Sequence, residues 1–227
     1  MKLFISLFNL LKLSNDTVDS LNKKSPVIKS FKDLPKTEEE RMQKARQMAD
    51  VERAAFSKYP HIYQSNKWDF IDEMSRDALN GVIYESEDEV IRGYLYGHTL
   101  DYEEDLDDGD DFNPDEMTCH CADCSADKMG FYNDVVELAL NGKIFYVSNF
   151  AVENKYRFKV DKILKAFLAQ LRDGGVKYIA FDALSDTQRL LMEGDKPNAR
   201  REEKYGIKVL AEINKDYGTR LFIAEVL

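Results

Sequence analysis

The sequence predicts a mixed α/β domain organised on one parallel β-α-β unit, and three observations carry that reading. First, residues 144–152 (IFYVSNFAV) are apolar and aromatic enough for a buried strand. Val160, Ile163, Leu164, Phe167, Leu168 and Leu171 then recur at helical spacing, with Asp161, Lys162, Lys165, Gln170 and Arg172 mostly on the other side. Gly174-Gly175 stops that helix, and residues 176–184 (VKYIAFDAL) give the next strand. Two apolar strands joined by one helix should be parallel and connected right-handedly. Second, residues 81–85 and 89–100 flank the turn Ser86-Glu87-Asp88 and read as an antiparallel hairpin. Third, residues 205–213 (YGIKVLAEI) and 219–227 (TRLFIAEVL) are two final strands joined by residues 214–218.

The remaining elements follow in chain order. Residues 1–13 place Phe4, Leu7, Phe8 and Leu11 on one face of a short amphipathic helix; the apolar run is shorter than a membrane span. Residues 14–26 read as a polar linker, so 1–26 form an extension and 27–227 the domain. Residues 27–31 suit a first strand. Thr37 and Glu40 fit a capping box, opening a helix whose buried side is Met42, Ala45, Met48, Ala49, Glu52 and Phe56. A second helix spans about 67–79, with Trp68, Ile71, Met74 and Leu79 as its apolar positions, and Asn80-Gly81 ends it. A short helix is expected over 133–140, another after the cap Ser185-Asp186-Thr187-Gln188, and a surface loop over 194–204. Omitting the short 133–140 helix, which precedes the parallel unit, the order reads β-α-α-β-β-β-α-β-α-β-β.

Composition narrows the function. The formal net charge of -10 argues against a general nucleic-acid binder. That charge is local: residues 101–116 hold ten acids and no base, and outside them acidic and basic residues balance at 32 each. Three cysteines within six residues suit a reducing compartment, and a cytoplasmic location is the expectation.

The turn after the first parallel strand is a candidate anion site. A helix start exposes N–H groups without intrahelical partners and carries positive dipole charge. Lys155, Arg157 and Lys159 add cations there. A phosphate-bearing ligand and a merely solvated basic loop both fit this pattern.

The element order, together with NFAVENKYR (149–157), ILKAFLAQLRDGGVKYIAFDAL (163–184), YGIKVLAEI and ADVERAAFSKYP (49–60), resembles the GCN5-related N-acetyltransferase (GNAT) superfamily over about residues 27–227. The resemblance implies a GNAT fold, acetyl-CoA as cofactor, and direct attack of an acceptor amine without a covalent enzyme intermediate. It places the pantetheine on a β-bulge around residues 148–152, including Phe150 and Val152. It places the pyrophosphate on Lys155, Tyr156, Arg157, Phe158, Lys159 and Val160. The family's loop pattern, Q/R-x-x-G-x-G/A, is not reproduced: neither register of this segment contains a glycine. Glycine matters there because the backbone approaches the phosphates most closely without a Cβ. The family's tyrosine acid falls near Leu191 or Met192; Tyr205 is close in sequence, at the expected strand start. Asp182 and Glu153 are the candidate general bases for an attacking amine.

Cys119, Cys121 and Cys124 form a C-x-C-x2-C cluster that suits zinc, with His98, His120 or Asp123 as fourth ligand and His98 the best placed of them; three free thiols is the alternative. The cluster and the acidic run together make an insertion over 101–130. Two functions follow. One is a CoA-dependent N-acyltransferase acting on a small-molecule or protein amine. The other is a catalytically inactive structural or protein-interaction module of the same fold, of the kind found among viral and phage accessory proteins. Its partner would dock on residues 1–13 or on the acidic run.

Overall fold

The computed structural model describes residues 26–34, 37–57, 64–75, 79–100, 117–120, 127–183, 185–214 and 219–227. The expected extension helix at 1–13, the acidic run, Cys121 and Cys124 lie outside them. The strands are β1 (Val27–Ser30), β2 (Asn80–Glu85), β3 (Ile91–Thr99), β4 (Met117–Cys119), β5 (Ile144–Val152), β6 (Tyr178–Ala183), β7 (Met192–Glu193), β8 (Lys196–Pro197), β9 (Ile207–Asn214) and β10 (Arg220–Val226). The α-helices are α1 (Glu38–Ala55), α2 (Lys67–Met74), α3 (Lys128–Leu140), α4 (Val160–Asp173), α5 (Ser185–Leu191) and α6 (Ala199–Tyr205). Eight strands form one sheet in the order β1-β2-β3-β5-β6-β10-β9-β4, and β7 pairs with β8 separately. Only β5 and β6 run parallel among the described pairs.

Helices cover both faces, as a sheet with two apolar faces requires. On one face α1 and α2 pack over Ile83, Ile91, Tyr94, Tyr96 and Ala151. Farther along that face α3 packs over Ile144, Ala180, Ala211, Leu221 and Ile223. On the opposite face α4 sets Ile163, Phe167, Leu168 and Leu171 against Val82, Leu95, Phe145, Val152 and Phe222. These are the positions whose 3.6-residue spacing predicted the helix.

Several expectations need correction. The capping box at α1 does not form: the Thr37 hydroxyl bonds the Glu40 carboxylate, and no side chain caps the helix backbone. In α2 the core residue is Phe70, fully buried, whereas Trp68 is 57% exposed. Asn66 caps that helix in a reciprocal box with Asp69, which fixes its phase and turns Phe70 inward. The expected loop 194–204 instead holds β8, which pairs with β7 just before it, and most of α6; Asn198 caps α6 and Gly206, at φ 67°, ends it. Tyr205 is therefore the last residue of a helix and not the first of a strand. The insertion also contributes to the fold, since β4 pairs antiparallel with β9 at the sheet's far edge.

One irregularity shapes the centre of the sheet. Tyr96 pairs with Asn149 and His98 with Tyr146, so β5 carries one extra residue across from Gly97. Such a bulge bends its strand and interrupts the ladder. A Cβ on Gly97 would lie 1.9 Å from the Tyr146 carbonyl oxygen and 2.7 Å from the Phe145 ring. Backbone cannot yield as a flexible side chain can. Gly97→Ala is predicted to destabilise the fold by roughly 1–3 kcal/mol or more, measured by urea unfolding. Gly174→Ala, where a Cβ meets nothing closer than 3.3 Å at an ordinary φ of -78°, should change stability far less.

Candidate functional site

The parallel pair β5–β6 is short. Its register runs from Ile144↔Tyr178 to Val147↔Phe181 and stops, although β5 continues to Val152. Past that point the β6-facing backbone groups of β5 have no strand partner among the described residues. Such groups form a template for another extended amide chain. The bulge sits at the same place, so the interruption toward β3 and the parting from β6 coincide at Val147–Ser148.

The bulge gives Ser148 and Asn149, adjacent in sequence, partners on one face of the sheet. Ser148 Oγ lies 2.9 Å from His98 Nδ1. Asn149 Nδ2 donates to Glu52 Oε2 at 2.9 Å. Glu52 comes from α1, is 2% exposed, and also accepts from the Tyr94 hydroxyl at 2.9 Å and from the Ser65 N–H at 2.9 Å. Burial, followed by the charge of Glu52, pushes the Tyr94 phenol well above its ordinary range, so Tyr94 remains a donor. A buried carboxylate with three donors tolerates burial. It also ties α1 to β3 and β5 next to the point where β5 parts from β6.

Asp182, on β6, accepts from the Tyr146 hydroxyl at 2.7 Å. The Tyr146 ring stands edge-on to His98, with centroids 5.9 Å apart. Register carries His98, Tyr146, Ala180 and Asp182 on this same face, between the α1–α2 pair and α3. Asp182, one of the two candidate bases, thus shares a face of the sheet with Tyr146 and His98, next to the point where β5 and β6 part. Glu153 does not share its circumstances, because Arg92 Nη1 holds its Oε1 at 2.9 Å and Lys155 approaches its Oε2 at 3.4 Å. Arg92 is anchored in turn by Asp88 at 3.0 Å and Ser86 at 3.1 Å. Sequence reading placed Glu52 on the buried side of α1 without a role. A charged residue on an apolar stripe was the available clue, since a buried carboxylate must find donors.

On the opposite face, residues 154–159 form a 3-10 turn leading into α4. Tyr156 packs edge-on to Tyr84, ring centroids 5.7 Å apart, with Arg92 above it at 5.7 Å and Lys155 at 5.1 Å. Phe158, where the family pattern wants glycine, is 70% exposed. The first turn of α4 carries Asp161, which Lys204 pairs and which accepts from the Tyr205 hydroxyl at 2.6 Å. These bonds from Lys204 and Tyr205 hold the Asp161 carboxyl below the usual carboxylate range. Burial and then Asp161 push the Tyr205 phenol up. Tyr205, at 4% exposure, is thus committed to the start of α4.

Of the expected metal ligands only His98 and Cys119 lie among the described residues, and these two are not brought together. His98 lies on β3 and Cys119 on β4, with β5, β6, β10 and β9 between them. Five interstrand steps of roughly 4.8 Å separate them by about 24 Å, far beyond one coordination sphere. Among the described residues no group of three His, Cys, Asp or Glu side chains can hold a metal ion. Burial pushes the Cys119 thiol up, which disfavours the thiolate. A concavity of about 470 Å³ beside Cys119 and His120, and one of about 660 Å³ beneath α3, both lie away from the cleft. No helix among the described residues is long and apolar enough to cross a membrane.

Two outcomes test these networks. Glu52→Ala leaves Tyr94, Asn149 and the Ser65 N–H unpartnered and should cost about 2–4 kcal/mol by denaturant unfolding, with Glu52→Gln costing less. Asp161 has a depressed folded-state pKa, so its stabilisation is present above its unfolded value and is lost as pH falls through the folded value. The stability gap between the parent protein and Asp161→Asn should therefore be constant above about pH 5 and close progressively below about pH 4.

No family model matches the chain, and no curated protein matches it by sequence. Solved structures do resemble it. The PaiA N-acetyltransferase of Thermoplasma acidophilum, solved in complex with coenzyme A, is 10% identical; the match covers 88% of this chain and 98% of that one at a TM-score of 0.50. YncA of Salmonella typhimurium, solved with acetyl-CoA, is 11% identical over 89% of this chain and 93% of that one, at a TM-score of 0.51. At such identities the likeness speaks for architecture only: a central mixed sheet flanked by helices, in the manner of the GNAT fold, with β4, the β7–β8 ribbon and α6 added to the elements that the sequence predicts.

Proposed function

We propose that this protein is a CoA-dependent N-acyltransferase. The observation that carries the reading is the parting of β5 from β6 beyond Val147–Phe181, at a bulge. In this reading the pantetheine amides lie along the unpaired edge of β5 at residues 148–152, where Phe150 and Val152 reside. The pyrophosphate meets the turn from Lys155 to Val160, with Lys155, Arg157 and Lys159 supplying charge in place of the close approach that glycines permit. When bound, the acyl thioester supplies the electrophilic carbonyl. Asp182, joined to Tyr146, is the better placed of the two sequence-derived bases, since Glu153 is engaged by Arg92. Tyr205 has the chemistry of an acid for the leaving thiolate, but in this role it would have to leave Asp161. Acidic residues 101–116 would attract a cationic amine, on a small molecule or a protein.

A second reading has its own observation. The start of α4 already holds a carboxylate, Asp161, neutralised by Lys204. A helix start so occupied has less attraction for a phosphate. This favours a non-catalytic module of the same fold, with residues 1–26 or the acidic run serving as its docking element.

Acetyl-CoA separates the two. At a hundred times its Kd a ligand selective for the folded state adds about 2.7 kcal/mol, which for a domain of this size raises Tm by roughly 5–10 °C. Charge reversal of Arg157 and Lys159 to Glu should lower affinity at least about tenfold, or 1.4 kcal/mol. Absence of any Tm shift at millimolar acetyl-CoA would leave the non-catalytic module standing and remove the enzyme.

A further inference from the structure

We infer that residues 1–13 dock, as a helix of the same chain, in the groove between α3 and the sheet. The inference goes beyond both readings above and does not depend on whether the protein binds acetyl-CoA.

The groove is the concavity of about 660 Å³ beneath α3. Its floor is Val135, Ile144, Leu210 and Ile223, all buried. Its walls include Phe131, Leu138 and Tyr178, each only half-buried. Phe131, Asp134, Val135 and Leu138 stand at i, i+3, i+4 and i+7, so one flank of α3 lines the groove along the helix. Apolar walls left partly in water are stabilised by a further apolar cover.

The cover that fits is an amphipathic helix of matching length and opposite charge. α3 has 13 residues and a length of about 20 Å, and residues 1–13 as a helix would have the same. Phe4, Leu7, Phe8 and Leu11 supply anchors at i, i+3, i+4 and i+7, the spacing with which a helix fills a groove. The groove's charged residues are net acidic, with Asp134 and Glu137 one turn apart against Lys143. Residues 1–13 contain no acid, and Lys12 follows Phe8 by one turn. A helix this short is marginal in water by itself, so it needs a face to pack on.

Chain length permits the contact. β1 lies four strands from β6 and five from β10, a distance of about 19–24 Å. Residues 14–25 can span about 40 Å. A tether of this kind holds the segment at an effective concentration on the order of millimolar. A second copy at ordinary protein concentration competes poorly with that, which is why the segment of the same chain is the occupant.

The test is zero-length carbodiimide coupling of the full chain, at micromolar concentration, in an equal mixture of unlabelled and isotopically labelled protein. Cross-linked peptides are mapped by mass spectrometry. An amide joining Lys12 to Asp134 or Glu137, within one isotope population, is the expected result. Phe8→Asp should lower its yield at least about tenfold, and should speed amide hydrogen exchange in residues 1–13 and 131–138 together. Asp134→Lys combined with Glu137→Lys, at two exposed positions, should speed exchange in 1–13 while Tm stays unchanged. Links that join the two isotope populations would assign the groove to a second copy and overturn docking within the chain. Links from Lys12 to residues 101–116 alone, or exchange in 131–138 indifferent to Phe8→Asp, would overturn it as well.

Discussion

The centre of this molecule depends on the approach of Gly97 to the Tyr146 carbonyl. A side chain there would overlap backbone, so glycine lets β3 lie close against β5 while β5 carries an extra residue. The bulge bends β5 away from β6 after four paired residues. It also gives Ser148 and Asn149 partners on the same face, one meeting His98 and the other Glu52. A cleft, a buried carboxylate network and a serine–imidazole contact therefore share one cause. Strand geometry without the bulge would send neighbouring side chains to opposite faces.

The two faces of the cleft have different characters. The α1–α2 side is polar at its mouth, with Glu52, His98, Tyr146 and Asp182 engaged in defined bonds. The α4 side is aromatic and basic, with Tyr84 edge-on to Tyr156, Lys155 over the Tyr156 ring and Lys159 over the Tyr84 ring. An acyl thioester with a phosphorylated tail has matching ends. Asp161 works against that match, because its carboxylate competes for the start of α4. Under the proposed reading, competition between Asp161 and a phosphate would be the chief physical difference between an enzyme and a silent relative.

Most of the sheet was legible because its signals are local. The apolar run 144–152, the helical spacing from Val160 to Leu171 and the Gly174-Gly175 stop identify the parallel unit without tertiary information. What was not legible depends on partners distant in sequence. Trp68 and Phe70 are both apolar, and only the cap at Asn66 decides which faces inward. Residues 199–205 are mostly charged, so their helix shows in Asn198 and Gly206 and not in hydrophobic spacing. The pairing of His98 with Cys119 failed because chain proximity across an insertion says nothing about sheet order. Here β4 crosses to the far edge. Asp182 could be named as a candidate base from its strand alone, whereas the partners of Glu52 and Ser148 depend on the register and the bulge.

The parting of β5 and β6 can be observed directly by cross-strand nuclear Overhauser effects in isotopically labelled protein. Parallel-register contacts are predicted from Ile144/Tyr178 through Val147/Phe181, with none linking Asn149–Val152 to β6. Contacts that continue to Val152, or an antiparallel pattern between these strands, would contradict the cleft and the chemistry assigned to it.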